Sequence, residues 1–358
     1  MLAGSDLAVE WLIWAKTAKK RDASGRQALH PLLCHTIDVT AVTQAMWERT
    51  LPRAVKKRLA VQLGVDDAEA RQWIALWAGL HDLGKASPGF QDQPGPAAHW
   101  ACAQLRAAGF SFPTDFTPAR HGTISANVLP RALHSLGVAK ALAVRIATVA
   151  GGHHGVFPST GSVQRVVGAA GDDRWAAARL QLARRLAEIL GLSDRTINGQ
   201  IDNAAAMTLA GLISVADWIG SIERFFRYAV PDTDAPPSLA AHAYKQVADQ
   251  SAQCALEILR WTAWSPPAEV RTFGELFQKI ETPNHTQKTA ESLSLRFSEQ
   301  SLVIIESPMG EGKTESAMYL ADYWAAALGQ RGCYVALPTQ ATSNQMFRRV
   351  KELSLIHI

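Results

Sequence analysis

Histidine and aspartate side chains suited to metal binding recur through the first part of the chain. His81 and Asp82 close an apolar segment, and Leu83-Gly84-Lys85 follows at once. Imidazole and carboxylate together suit borderline divalent metals, and a shared carboxylate can bridge two of them. The combined order predicts a site for two metal ions, built from His35, His81, Asp82, His121, His153, His154 and Asp217.

Several of these residues have an ordinary structural explanation when taken alone. His35 can be a satisfied core histidine, and His153-His154 can be a polar loop pair. Asp217 can cap a helix or pair with a buried arginine, although it lies in an apolar run where an unpaired carboxylate is costly to bury. His81-Asp82 is harder to explain in this way, because a buried charged pair at a helix end usually has a partner. The set as a whole favours the metal site.

Further along the chain, a second set of residues is suited to nucleotide binding. The apolar run 302–305 is followed by Ser307-Pro-Met-Gly-Glu-Gly-Lys313-Thr314 and then by a helical pattern. Gly310 and Gly312 allow the backbone to wrap phosphates, Lys313 would reach the β and γ phosphates, and Thr314 would bind magnesium. Ser307 stands where the usual phosphate-loop pattern begins with glycine. The segment predicts a site for ATP and Mg²⁺.

The elements that carry these residues are mostly helices. Apolar residues at spacings of three and four predict helices over 7–19, 28–49, 68–80, 125–136, 139–150, 175–190, 204–226 and 240–261. The proline-rich stretch 231–237 is the strongest linker candidate. From Phe273 the pattern becomes β/α, with strands at 302–306 and 332–337 and helices from 312 and 339, which predicts a parallel sheet.

Composition is consistent with a folded protein of more than one domain. The chain has 358 residues, 47% hydrophobic and 19% charged, with a formal net charge of +4. That small excess of positive charge permits nucleic-acid binding without arguing for it. The four cysteines show no CxxC spacing, and neither a signal peptide nor a membrane span is recognisable. We therefore expect a cytoplasmic protein with no membrane contact.

The histidine and aspartate set resembles the HD phosphohydrolase superfamily. Together with Pro308-Met-Gly-Glu-Gly-Lys-Thr314 and Leu337-Pro-Thr-Gln-Ala-Thr-Ser-Asn-Gln-Met346, it is similar to the type I CRISPR-associated helicase–nuclease family. The resemblance implies a mainly α protein, an all-helical HD bundle followed by the first β/α units of a RecA-like helicase domain. Its expected domains are an HD nuclease at 1–230, a linker and connecting helix at 231–270, and a truncated helicase domain at 271–358.

The resemblance also implies how the metals would be held. His35, His81, Asp82 and Asp217 would bind one divalent ion, and Asp82 would bridge to a second ion held by His121, His153 and His154. Lys85 would lie beside the scissile phosphate and, with Asp82, act in catalysis. His99 or His134 competes with His121 as the ligand. Histidine-rich ligation favours iron, manganese, cobalt or nickel over magnesium.

Other residues are assigned to the helicase part by the same resemblance. Gln287 would read adenine, with Phe273 or Phe277 as a stacking partner. The DNA backbone would be contacted by Thr339, Thr342, Asn344 and Gln345, although Thr339 can equally be a helix cap. The chain ends before the acidic strand motif and the second RecA-like domain, so helicase activity is expected to be absent from this fragment.

The resemblance implies a function in CRISPR antiviral defence. A metal-dependent endonuclease would degrade single-stranded DNA, and in the intact protein an ATP-dependent 3′–5′ helicase would supply the strand. The expected partners are single-stranded DNA and an RNA-guided surveillance complex, and the chain is expected to be a monomer. Two alternatives remain open: an HD-type nucleotide phosphohydrolase with a fused ATP-binding module, and a non-catalytic ATP-sensing module whose HD set is structural.

Overall fold

The structure, a computed structural model, is mainly helical. It describes residues 9–18, 27–113, 115, 119–166, 168–230, 240–261, 269–299, 301–330, 333–337 and 339–354. The chain divides into two compact units, Met1–Ala263 and Trp264–Ile358. The linker candidate 231–237 lies outside the described residues.

The first unit is a bundle of α-helices. Its helices are α1 Val9–Leu12, α2 Leu32–Arg49, α3 Arg53–Leu63, α4 Asp67–Gly79, α5 Pro88–Gln91, α6 Pro96–Ala107, α7 His121–Ser135, α8 Lys140–Gly151, α9 Thr160–Gln164, α10 Asp173–Ile189, α11 Asn203–Gly220 and α12 Ala241–Ile258. Two 3₁₀ helices, Leu80–Lys85 and Gly168–Ala170, and two short strands, β1 Trp14–Thr17 and β2 Leu29–Pro31, complete the described part of this unit. The helices predicted within 68–261 are confirmed, with ends shifted by a few residues.

Several helices begin at an aspartate that satisfies free backbone N–H groups. Asp66 accepts from the N–H of Glu69, and Asp202 accepts from the N–H of Ala205. A carboxylate at this position also interacts favourably with the helix dipole. These caps fix where α4 and α11 begin. The 3₁₀ helix Leu80–Lys85 follows directly after α4, and Asp217 lies near the far end of α11.

The beginning of the chain differs from the sequence prediction. The helix predicted over 7–19 is wrong: α1 ends at Leu12 and β1 follows, paired antiparallel with β2. The helix predicted from residue 28 begins only at Leu32, because Leu29–Pro31 forms β2. Apolar spacing in this short segment suits a helix, but backbone pairing between β1 and β2 is a tertiary interaction that local periodicity does not encode.

The core of the first unit surrounds α2. Helices α4, α11 and α12 pack against it, and its residues from Leu32 to Thr43 are all buried. Trp73 and Trp77 are fully buried core residues, whereas Trp218 is 63% exposed. Because this part of α2 is enclosed, every polar side chain within it needs a partner inside the protein.

The second unit contains shorter elements around a small core. Its helices are α13 Phe273–Leu276, α14 His285–Ser294, α15 Lys313–Leu328 and α16 Gln340–Ser354. The strands predicted at 302–306 and 332–337 do not form: residues 301–306 and 333–337 have no strand assignment. A strand requires hydrogen-bonded neighbours, and the described residues of this unit supply none. Among the described residues, no helix is both long and apolar enough to cross a lipid bilayer.

Candidate metal centre

The structure brings all seven predicted ligands together. They come from five parts of the first unit: α2, the 3₁₀ helix Leu80–Lys85, the start of α7, the turn after α8, and the last turns of α11. His99, the alternative to His121, is exposed on α6, and His134 contacts the carbonyl of Val138 instead. The residues divide into two groups, which are His35, His81, Asp82 and Asp217, and His121, His153 and His154.

The first group is compact and buried. Nε2 of His35 lies 3.3 Å from Oδ2 of Asp82 and 3.2 Å from Oδ1 of Asp217. Nε2 of His81 lies 3.3 Å and 3.6 Å from the same two oxygens. One ligand atom from each side chain therefore lies within 4.8 Å of the others, as a single cation requires.

The second group uses the other oxygen of the same aspartate. Oδ1 of Asp82 lies 3.3 Å from Nε2 of His121 and 3.6 Å from Nε2 of His153. His121 and His154 approach each other to 3.0 Å through their Nε2 atoms. Asp82 thus directs Oδ2 at one group and Oδ1 at the other, the geometry of a bridging carboxylate.

Hydrogen bonds fix which ring nitrogen two of the histidines present. Nδ1 of His81 donates to the carbonyl of Ala78 at 2.7 Å, and Nδ1 of His153 donates to the carbonyl of Ala150 at 2.6 Å. Since a carbonyl only accepts, both rings carry a proton on Nδ1, and Nε2 is the nitrogen directed at the site. This is the arrangement of a histidine prepared to bind a metal.

Four buried polar atoms in the site have no hydrogen-bond partner. They are Nε2 of His35, His81 and His153, and Oδ1 of Asp82. Buried polar atoms are normally satisfied, so four such atoms facing one another require an explanation. A pair of cations bound by these atoms would provide it, and the donor set fits divalent ions.

Close backbone approaches bring the ligand-bearing segments together. A Cβ on Gly84 would lie 2.1 Å from the carbonyl oxygen of His121, so only glycine allows the 3₁₀ helix to approach α7. Gly122 and Gly151 make the matching approach between α7 and α8, where either Cβ would lie 2.7 Å from the other residue's carbonyl oxygen. Asp82 itself has φ −97° and ψ 15°, a sparsely populated region in which active-site residues often occur.

The histidines of the site differ in pKa and therefore in protonation state. Burial lowers the pKa of His121 to about 4 and of His153 to about 3, so both are neutral near pH 7. Burial opposes charge on His81 too, but the carboxylates of Asp82 and Asp217 raise its pKa to about 10. His81 therefore carries a proton that a metal ion must displace.

Lys85 lies directly beside the bridging carboxylate. Its Nζ is 2.7 Å from Oδ2 of Asp82, and it also donates to the carbonyl of Ala15 at 3.3 Å. Residues three apart lie on the same side of a 3₁₀ helix, which explains the pairing. Burial by itself would raise the pKa of Asp82, but His81 and Lys85 outweigh it and hold that pKa well below its usual range.

A third buried group next to the centre is already satisfied without a metal. Nε2 of His30 lies 2.8 Å from Oδ2 of Asp38, and the hydroxyl of Tyr244 donates to Oδ1 of Asp38 at 3.0 Å. Nδ1 of His30 accepts from the N–H of Ala229 at 3.4 Å. This cluster ties α12 to α2, the helix that carries His35.

Three residues near the centre were missed by sequence reasoning. Lys16 of β1 and Ser221 after α11 contact the ligands His35 and Asp217, and the half-buried ring of Phe90 lies near Lys85. Because a helix was predicted over 7–19, Lys16 could not be distinguished from the neighbouring lysines of the sequence. Only the position of Ser221, four residues after Asp217, could have suggested its contact.

In the second unit, the nucleotide-loop residues lie together. Gly310 and Gly312 have φ of 86° and 73°, which glycine adopts freely, and α15 begins at Lys313. Nζ of Lys313 donates to the carbonyl of Pro308 at 2.7 Å, and Thr314 follows in the first turn of α15. This places backbone N–H groups and a helix start around the loop, as the phosphate-binding prediction requires.

The predicted adenine contacts occupy different environments. Gln287 is buried against the loop: its Oε1 accepts from the N–H of Asn284 at 2.9 Å, and a Cβ on Gly312 would lie 2.3 Å from its Nε2. Phe273 and Phe277 are 0% and 3% exposed, so the expectation that one of them stacks on adenine is wrong for this structure. They instead belong to the second unit's core, where their ring centroids lie 4.7 Å apart and the ring planes are tilted by 46°.

The predicted DNA contacts lie at the start of α16. Oγ1 of Thr339 accepts from the N–H of Thr342 at 3.2 Å, so Thr339 caps the helix. Thr342, Asn344 and Gln345 are exposed along α16. The cap and a phosphate contact can coexist, since a hydroxyl has two acceptor lone pairs and one donor.

The helical bundle and the paired ligand groups around His81-Asp82 define an HD-type metal-binding domain. Comparison with known proteins agrees: a sequence model of the family described as Cas3, HD domain matches residues 14–226. The chain belongs to the Cas3 HD domain family. A curated Thermus thermophilus protein, the CRISPR-associated endonuclease/helicase Cas3, is 35% identical over 346 residues, 95% of this chain and 35% of that protein.

Solved structures show the same similarity. A crystal structure of a CRISPR-associated protein has a TM-score of 0.70 and 45% identity, covering 96% of this chain and 37% of that one. The Thermus thermophilus cas3 HD domain in the presence of Ni²⁺ has a TM-score of 0.51 and 26% identity, covering 71% of this chain and 92% of that one. A pre-nicking CRISPR RNA-guided surveillance complex contains a chain with a TM-score of 0.56 and 27% identity, covering 96% of this chain and 38% of that one. The chain thus spans about a third of the length of the curated relatives it matches.

Proposed function

We propose that this chain is the nuclease part of a CRISPR-associated enzyme and hydrolyses phosphodiester bonds of single-stranded DNA with two divalent cations. One observation carries the proposal: the unsatisfied buried atoms of His35, His81 and His153 all face the carboxylate of Asp82. A structural core would not leave such atoms unpaired, whereas two cations would satisfy all of them. The family relationship supports the same activity.

The chain's own residues perform distinct tasks. Asp82 would be a ligand to both cations, and the Nδ1 hydrogen bonds of His81 and His153 would keep their Nε2 atoms directed inwards. When bound, two such cations would neutralise the phosphodiester, acidify the attacking water and stabilise the leaving oxygen. Lys85 would place a third positive charge beside the scissile phosphate.

The ligand chemistry favours transition metals over magnesium. Five of the seven ligands are imidazoles, namely His35, His81, His121, His153 and His154. Nitrogen ligands suit iron, manganese, cobalt and nickel, whereas magnesium prefers oxygen. A relative whose HD domain was crystallised with Ni²⁺ supports this preference.

The second unit would bind ATP with magnesium as the beginning of a RecA-like helicase domain. Lys313 at the start of α15 and the positive φ of Gly310 and Gly312 support phosphate binding. The intact protein would use ATP to move 3′–5′ along DNA, acting as a monomer in the cytoplasm after recruitment by an RNA-guided surveillance complex. The structural similarity to a chain in such a complex supports the partner.

Cleavage of circular single-stranded DNA tests the proposal directly. The full chain, stripped of metal and reloaded with Mn²⁺ or Co²⁺, should linearise a circle that has no ends and then degrade it. Release of phosphate from deoxynucleotides with the circle left intact would favour a nucleotide phosphohydrolase. Tight metal binding without either activity would indicate a structural metal site.

A further inference from the structure

A lysine that none of the predicted roles uses lies against two of the metal ligands. Nζ of Lys16 is 3.4 Å from Nδ1 of His35, and it also donates to Oγ of Ser221. Oγ of Ser221 in turn donates to Oδ1 of Asp217 at 3.0 Å. Lys16 is therefore connected to both ligands, once directly and once through a hydroxyl.

The Lys16 contact reaches His35 at the ring nitrogen that faces away from the carboxylates, whereas Ser221 reaches Asp217 at Oδ1, the same oxygen that faces His35 and His81. Nε2 of His35 faces the carboxylates of Asp82 and Asp217, whereas Nδ1 faces Lys16. An ammonium group only donates, so the proton of the Ser221 hydroxyl is left for Asp217. The chain Lys16–Ser221–Asp217 thus sets the orientation of the carboxylate.

The strand that carries Lys16 is itself held beside the centre. The N–H of Trp14 donates to Oε1 of Gln91 at 3.1 Å, and Nε2 of Gln91 donates to the carbonyl of Trp14 at 2.8 Å. The next carbonyl, of Ala15, accepts from Lys85. In the sheet, Lys16 pairs with His30, a few residues before His35. β1 is therefore held by Gln91, by Lys85 and by its pairing with β2, so Lys16 has a defined position.

We propose that Lys16 and Ser221 are positioning residues that hold Asp217 in the orientation one cation requires. The inference rests on the proposed function in that it takes Asp217 to bind a cation. Removing a residue that hydrogen-bonds to a metal ligand commonly lowers metal affinity by about 10- to 100-fold. A purely structural lysine, by contrast, could be replaced by an apolar side chain of similar volume with no effect on metal binding.

Titration of the full chain with Co²⁺ tests the role without using nuclease activity. The visible absorption of Co²⁺ reports its ligand geometry, and its growth gives the affinity. Lys16→Met and Ser221→Ala should each weaken one of the two binding events by about 10-fold or more and change its spectrum. Ser221→Thr keeps a hydroxyl and should restore wild-type binding.

Two further variants make the outcome decisive. Lys57→Met removes an exposed lysine of α3 and should bind Co²⁺ as the wild type does. Asp82→Asn should disturb both binding events. Wild-type affinities and spectra in Lys16→Met and Ser221→Ala, or an equal loss in Lys57→Met, would overturn the positioning role. A wild-type chain that binds no Co²⁺ would overturn the proposed function itself, together with this inference.

Discussion

The two units of the chain differ in how completely they bury their apolar residues. The first unit has a large core around α2 and contains all seven predicted metal ligands. The second has a small core, and apolar residues of its predicted strands, such as Leu302 and Tyr334, are 89% and 91% exposed. A hydrolytic site can thus be assembled by one unit, whereas a sheet cannot form without neighbouring strands. The chemistry of the first unit should therefore be independent of nucleotide.

Removing the shared carboxylate should have the largest effect. Asp82→Ala deletes the one carboxylate shared by both ligand groups, so we expect loss of both cations and at least about a thousandfold loss in the rate of DNA cleavage. Metal content and cleavage of circular single-stranded DNA measure this, with circular dichroism to confirm the fold. Asp194→Ala, an exposed carboxylate between α10 and α11, is the control. Full cleavage by Asp82→Ala would end the two-cation account.

Removing the neighbouring ammonium should separate catalysis from metal binding. Lys85→Met leaves all seven ligands in place but removes the positive charge beside Asp82. We expect cleavage to slow by about a hundredfold, the usual cost of deleting one charge-stabilising donor, with both cations retained. Single-turnover cleavage and metal analysis measure the two effects. A loss of metal as large as that in Asp82→Ala would mean that Lys85 maintains the site and does not act on substrate.

Metal affinity should rise with pH. The pKa of His81 is raised to about 10, so at lower pH a cation must displace its proton, and affinity increases about tenfold per pH unit below that value. His121 and His153, with pKa values of about 4 and 3, are already neutral and release no proton near pH 7. Calorimetry of Mn²⁺ binding in buffers of different ionisation enthalpy counts the protons released. An affinity that does not change between about pH 6.5 and pH 8.5 would contradict this assignment.

The smallest effect on cleavage is expected in the second unit. Lys313→Ala removes the phosphate-binding ammonium at the start of α15, so ATP binding should be lost while cleavage of free single-stranded DNA is unchanged. Lys288→Ala, an exposed lysine of α14, should leave both unchanged. Fluorescent-nucleotide binding and circular-DNA cleavage are measured side by side. A large loss of cleavage in Lys313→Ala would show that the two units are not independent.

Sequence reasoning identified the side chains that the structure brings together better than it identified their surroundings. His81-Asp82 and His153-His154 are recognisable because charged or polar pairs beside apolar helices need partners, and the helices α4 and α11 follow their apolar periodicity. Lys16 was missed because β1 exists only through its pairing with β2, an interaction between segments separated in sequence. The strand predicted at 302–306 was wrong for the converse reason, since its apolar pattern needs neighbours that the described residues do not provide.

Electron paramagnetic resonance of the Mn²⁺-loaded full chain tests the central claim most directly. If Asp82 bridges two cations through Oδ1 and Oδ2, the wild type should show the spectrum of a magnetically coupled Mn²⁺ pair, and Asp82→Asn should lose the coupling. A wild-type spectrum of isolated Mn²⁺ at full loading, or a coupled pair that survives in Asp82→Asn, would contradict the shared carboxylate.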